Sequence, residues 1–309
     1  MKENERTVTS ILSMNPGCQA QYVLQRMIGA SISNDLFTRF YNSKWMEIIK
    51  SEQQEDGSFG RFHTMDSSVK KRIPTTERAV DSIKYLLLPR GNDFVDKLCL
   101  YMENILSKSL PWPDGFEQNK YYKAAQPLFV AAKLSVFGSQ NKEFHSLFNT
   151  WHTILSESFS SGEYSKDRNN EVAKELLGTE IDDSYIGLHS IYTIEFFSNT
   201  QASLEAPLKE AYLHWLHTNN RSIHYTNINF TFIDNYTFSD LFRVLFLLSK
   251  FSCFKKEFND MVIRIESEAD EKGLWNYGKK FAGPKISDDW RTVDKMTIDH
   301  TLLTKMILP

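Results

Sequence analysis

The stretch from Trp45 to Phe59, WMEIIKSEQQEDGSF, places an amphipathic run directly before a tight glycine turn that carries an aromatic residue. Versions of that turn return along the chain, at Asp56-Gly57-Ser58-Phe59, Asp114-Gly115-Phe116, Ser161-Gly162-Glu163-Tyr164, Ser222-Ile223-His224-Tyr225 and Gly273-Leu274-Trp275. Their aromatic residues stand 57, 48, 61 and 50 residues apart. Each interval has room for two helices of about three to five turns with their connections. A fixed supersecondary unit repeated at such a period is the mark of a repeat architecture.

A second repeat runs out of phase with the first. Ile181-Asp182-Asp183, Ile233-Asp234-Asn235 and Ile298-Asp299-His300 each precede or open an apolar run, and Ile73-Pro74-Thr75-Thr76 does so with Thr in place of Asp. Asp and Thr accept hydrogen bonds from the unpaired N–H groups of a helix start, and Asn15-Pro16 provides a further start. The pattern predicts one set of helices over 16–30, 75–89, 121–137, 183–198, 235–250 and 299–308. A second set is predicted over 35–53, 92–108, 141–158, 204–219 and 255–270. The first set is apolar around most of its circumference, as in Leu128 to Leu134 and Leu241 to Leu248, which predicts burial on all sides. The second is one-sided, as in Phe144, Leu147, Phe148, Trp151 and Leu155. Inner and outer helices alternating in this way predict an all-α chain, an α/α toroid of five to six helical hairpins forming a single domain over 1–309. The stretch Ile223 to Ile233 alternates apolar and polar residues and is the one strand-like segment. All the long connections (54–74, 109–120, 159–182, 220–232 and 271–293) lead from an outer helix to an inner one. They are therefore expected together at the amino ends of the inner helices, where a site belongs.

The bulk composition narrows the alternatives. With 309 residues, 41% apolar residues and 22 Phe, the chain can build a large core. A net charge of −3 without a basic face gives no reason to expect nucleic acid, and Lys70-Lys71-Arg72 reads as a solvated loop. Cys18, Cys99 and Cys253 are far apart and lack zinc spacing, which fits a reducing compartment. The polar N-terminal stretch and the lack of a roughly 20-residue apolar run lead us to expect a cytoplasmic protein without integral membrane association.

Two features resemble the superfamily of terpene cyclases and protein prenyltransferases, whose members are α/α toroids. Gln53-x-x-x-Gly57-x-Phe59 is similar to its Gln-Trp repeat, with Phe in place of Trp, and Gly273-Leu274-Trp275 keeps the glycine and the aromatic. Glu180-Ile181-Asp182-Asp183-Ser184 resembles the Asp-x-Asp-Asp-Thr motif of class II terpene cyclases, with Glu as its first carboxylate. The resemblance implies Asp182 as the general acid, flanked by Glu180 and Asp183, with a hydrophobic, isoprenoid-type ligand in a central cavity. Crowded carboxylates can keep one of their number protonated, and aromatic walls can shield a carbocation. Tyr122, Tyr185, Tyr192, Tyr236 and Phe242 are candidates for such walls. The zinc ligands of the prenyltransferases are matched only in part: Asp234 and His300-Thr301 are present, but Tyr236 stands where Cys is required. No metal or cofactor is therefore expected.

Each of these residues has a plainer reading. Asp182 shares its repeat position with Asp234 and Asp299, so helix capping alone can account for it. His63 and Asp66 follow the first glycine turn and either line the cavity mouth or make a local turn. His189 follows Asp182 by seven and Tyr185 by four; on a helix all three share a face, so His189 either orients the acid or is a core residue. Three functions stay open: a terpene-cyclase-like toroid, a non-catalytic toroid that binds a peptide or hydrophobic molecule, and a carbohydrate-active α/α barrel with paired carboxylates.

Overall fold

The structure is a computed structural model that describes residues 3–66, 68–115, 119–226, 228–231, 238–279, 281, 283–287 and 290–308. Among the described residues the chain is all helical, with no strand. Among its described residues the strand-like stretch contributes a single bridge, Ser190 to His224. The helices of the apolar set are α2 (Cys18–Met27), α5 (Thr76–Lys84), α7 (Tyr122–Ser135), α10 (Ile191–Thr200), α12 (Phe238–Leu248) and α15 (Val293–Ile307). The one-sided set comprises α3 (Asn34–Tyr41) with α4 (Lys44–Glu52), α6 (Asp93–Leu106), α8 (Lys142–Ser158), α11 (Ala206–Thr218), and α13 (Phe254–Glu257) with α14 (Asn259–Ser267). Two helices lie outside the expected pattern, α1 (Glu3–Ser13) and α9 (Lys166–Leu177), the second of them inside the connection expected over 159–182.

Burial follows the two periodicities. Every residue from Leu128 to Ser135 of α7 and from Ile191 to Ser198 of α10 is buried, whereas α8 buries the single stripe of Phe144, Trp151, Ile154, Leu155 and Ser158. Trp151 is fully enclosed, and truncating such a side chain costs about 3–5 kcal/mol. The apolar helices are mutual neighbours in the order α5, α7, α10, α12, α15, α2. Chain segments far apart in sequence are tied as well: Thr7 and Ser10 of α1 donate to the carbonyls of Gly273 and Lys272 at 3.2 and 3.0 Å.

The glycine turns at residues 57 and 273 are built alike. Gly57 has φ +91, and a Cβ there would stand 2.3 Å from the Lys97 carbonyl oxygen of α6, so only glycine fits. Phe59 N–H then donates to Thr76 Oγ1 at 3.1 Å, and Trp275 N–H donates to Thr301 Oγ1 at 3.0 Å. In both places the turn's aromatic residue is locked onto a threonine of an inner helix.

Two helix starts differ from expectation. α10 begins at Ile191 rather than 183 because 181–190 folds as three successive turns, closed by Ser184 N–H to Ile181 O, Gly187 N–H to Ser184 O and Ser190 N–H to Gly187 O. Ser190, not Asp182, caps the helix through its side chain. α15 begins at Val293, capped by Thr292, which leaves Asp299 and His300 inside the helix. Asp299 instead accepts from Ile286 N–H, Ser287 N–H, Ser287 Oγ and Trp290 Nε1, pinning the preceding loop. The capping explanation is corrected for both aspartates: each is tied to side chains and loops beyond its own helix. Asp234 lies outside the described residues.

Candidate functional site

The amino ends of α5, α10 and α12 converge on a cavity of about 610 Å³. α5 contributes Thr75, Glu77, Arg78 and Asp81, α10 contributes Tyr192, and α12 contributes Ser239, Asp240 and Arg243; Trp45, His63, Tyr85 and Tyr225 complete much of its wall.

His63 is placed by backbone, not by a helix. The carboxylate of Asp114 accepts from the N–H groups of Phe62 (2.5 Å), His63 (2.9 Å) and Thr64 (2.6 Å). The same loop meets the start of α5, where Thr76 and Glu77 N–H donate to the carbonyls of Arg61 and Phe62 at 2.9 and 3.0 Å. His63 is thereby held against Glu77, its Nδ1 2.7 Å from Glu77 Oε2. Tyr192 OH donates to Glu77 Oε1 at 2.7 Å and lies 2.9 Å from His63 Nδ1. Three ionisable groups from a loop and two helices thus meet in one cavity wall. Phe129 lies beside them, its ring centroid 4.9 Å from His63 and 4.1 Å from Tyr192. Burial by itself would raise the pKa of Glu77, but the Lys133 charge and the His63 hydrogen bond outweigh it and the net shift is downward. Burial and the Glu77 charge drive Tyr192 well above the ordinary tyrosine range, so its phenol keeps its proton.

Behind this wall runs a buried charged seam. Lys133 of α7 lies 2.8 Å from Asp81, 2.7 Å from Glu195 and 3.5 Å from Glu77; Lys84 lies 2.8 Å from both Asp81 and Glu195. Arg243 adds a third cation whose charge is felt by Asp81 and Glu77. Three carboxylates are offset by three cations, which is what buried charges require. Burial opposes ionisation of Asp81, yet Lys133, Lys84 and Arg243 together pull its pKa far below the usual range.

The acidic stretch singled out from the sequence lies elsewhere. Asp182 is buried, with Arg221 Nη1 at 2.8 Å, Lys166 Nζ at 3.2 Å and the Tyr164 hydroxyl donating to it. Asn170 Oδ1 accepts from the N–H groups of both Ile181 and Asp182, fixing the backbone. Burial would raise the Asp182 pKa, but the hydrogen bonds from Arg221, Tyr164 and Lys166 prevail and the shift is downward. That setting favours the carboxylate over the acid. Asp183 is exposed and pairs with Lys166 at 2.7 Å, and Glu180 is exposed 3.8 Å from Lys174. None of the three lines the large cavity.

His189 does not share a helical face with Asp182 and Tyr185, because 181–190 is not helical. It lies with Asp183, Arg221 and His224 on a separate cavity of about 350 Å³. Burial, with the charges of His224 and Arg221, draws its pKa down to about 4. Tyr185 belongs to the aromatic group around the main site, its ring 6.2 Å from Phe129 and 6.1 Å from Tyr225. Tyr122 sits at the start of α7, its hydroxyl donating to the Gly115 carbonyl, and does not line the cavity. Tyr236 lies outside the described residues. Among the described residues no three His, Cys, Asp or Glu side chains gather as a metal site. His300 is enclosed by the rings of Tyr277, Phe281 and Trp290, and its Nδ1 accepts from Tyr277 N–H.

Sequence reasoning passed over the seam, although a signal was present. Lys133 interrupts LFVAAKLSVF and Glu195 interrupts IYTIEFF, and a lone charge in a helix apolar on all sides has to find a buried partner. No family model, curated protein or solved structure matches the chain.

Proposed function

We propose that the chain is an α/α toroid enzyme acting on a small, hydroxyl-rich substrate of the carbohydrate type, with His63, Glu77 and Tyr192 as its proton-handling group. The toroid is supported by the run of neighbouring helices α5, α7, α10, α12, α15 and α2, and by the matching turns at Gly57 and Gly273, which also favour kinship with the terpene cyclase and prenyltransferase toroids. One observation carries the functional reading: the convergence of His63, Glu77 and Tyr192 on a cavity whose wall also holds Arg78, Asp81, Asp240, Arg243 and Lys285. A hydrocarbon filling that cavity would strip water from charged groups and give nothing back, whereas hydroxyl groups exchange one hydrogen bond for another. Trp45, Tyr85 and Tyr225 line the same cavity and add aromatic surface to it. Glu77, bonded to Nδ1, orients the imidazole and selects the tautomer with Nε2 as its basic nitrogen. Tyr192 is the group that gives up a proton only when charge develops beside it.

The aromatic group of Phe129, Tyr185, Tyr192 and Tyr225 favours a second reading, an isoprenoid-type ligand whose cationic intermediate those rings shield. Calorimetric titration with a panel of mono- and oligosaccharides, beside farnesol and farnesyl diphosphate, separates the two. The first reading expects saccharide binding, and turnover of the bound saccharide about a hundredfold slower in His63→Asn and Tyr192→Phe with the helical circular dichroism of the chain retained. Binding of the farnesyl compounds alone supports the second reading. Turnover indifferent to both substitutions refutes the role given to the three residues.

A further inference from the structure

At the opposite ends of the same helices lies another cavity, of about 420 Å³, formed where α2, α5, α7, α12 and α15 finish. Four cationic side chains line it, Arg26, Lys84, Arg90 and Lys250, and no carboxylate does among the described residues. Helix carboxyl ends attract cations, which accounts for their gathering but not for how each is neutralised. Lys84 is matched by Asp81 and Glu195, and Arg90 by Glu103 at 2.6 Å. Arg26 and Lys250 form no ion pair among the described residues.

Lys250 is the more telling of the two. Its ammonium donates to Asn199 Oδ1 at 2.5 Å and sits 4.9 Å from the centroid of the Phe246 ring. Asn199 is itself fixed, its Nδ2 donating to Ser135 Oγ and to the Glu195 carbonyl, so a neutral amide oxygen is aimed at the lysine. An ammonium has three donors, and one is used. Burial, reinforced by the Lys84 charge, outweighs the opposing pull of Glu195 and draws the Lys250 pKa down to about 8. The rest of the wall is apolar, with Leu87, Val136, Phe137 and Met306 prominent.

We propose that this cavity binds an amphipathic carboxylate, its head on Lys250 and Arg26 and its apolar body against Leu87, Val136 and Met306. A lining that combines cations with hydrocarbon selects against both a bare inorganic anion and a neutral lipid.

Calorimetric titration of the full chain with octanoate, octanol and inorganic phosphate tests this. Octanoate is expected to bind, octanol at least tenfold more weakly, and phosphate weakly or not at all. Lys250→Met and Arg26→Gln are each expected to weaken octanoate about tenfold; Arg26 is exposed, so its variant remains decisive should the first fail to fold. Absence of octanoate binding, equal affinity for octanol, phosphate binding in its place, or octanoate affinity unchanged in Arg26→Gln would each overturn the proposal.

Discussion

Glu77, Asp81 and Glu195 in the seam and Asp182 near the start of α10 all have lowered pKa values, yet they are satisfied in different ways. The seam carboxylates are met by cations of the inner helices themselves, Lys84, Lys133 and Arg243, of which Lys84 and Lys133 are enclosed. Asp182 is met by Arg221 and Lys166, which come from connections and from α9 and keep part of their surface in solvent. Lys133 and Lys84 are enclosed together with the charges they meet, whereas Lys166 and Arg221 reach the enclosed Asp182 from the solvent side. Only the first arrangement presents Glu77 and Asp81 to a large cavity.

The comparison is sharpest at Lys133, which is wholly inaccessible and touches three carboxylates. Lys133→Met leaves those charges short of a partner, and urea denaturation is expected to show a loss of about 3–5 kcal/mol. A loss below 1 kcal/mol would mean that the seam is open to water and the contrast with Asp182 false.

That residue also marks the limit of what could be read in advance. The alternation of all-round apolar and one-sided helices is a matter of local composition, so the inner and outer sets were legible from α2 to α15. The site was not, because its parts come from distant positions: Asp114 holds the loop that carries His63, and Glu195 meets Lys84 across 111 residues. The Glu180 to Ser184 stretch attracted notice because its charges are contiguous, but contiguity says nothing about which cations will fold onto them. Capping fails as the plainer reading of Asp182 and Asp299 for a related reason, since the true caps Ser190 and Thr292 sit after and before them by several residues and only tertiary contacts reveal the choice.

A second way to probe the Asp182 region is through acid. His189 stays neutral in the folded chain down to about pH 4, while the unfolded chain takes up a proton near 6.5. Stability therefore falls as the pH drops from 6.5 towards 4, by about 3 kcal/mol from this one group. His189→Gln is expected to flatten that limb of a denaturation series; an unchanged slope would show the ring to be protonated in place.

The smallest effect is expected at Arg221, about one-third exposed. Arg221→Gln leaves Asp182 with Lys166 and Tyr164 and is expected to cost about 1 kcal/mol. It should leave any activity of the His63 site intact. A loss of turnover in Arg221→Gln, or in Asp182→Asn, would return the chemistry to the acidic stretch.

The packing of α15 on α2, with Thr7 and Ser10 fastened to the turn at Gly273, has a mechanical meaning. In an open stack of repeats the outermost unit has one neighbour and can peel away first. Here segments from the two ends of the sequence brace each other, so neither end is cheap to lose. Unravelling has to break two interfaces at once, which favours all-or-none melting over fraying from either end.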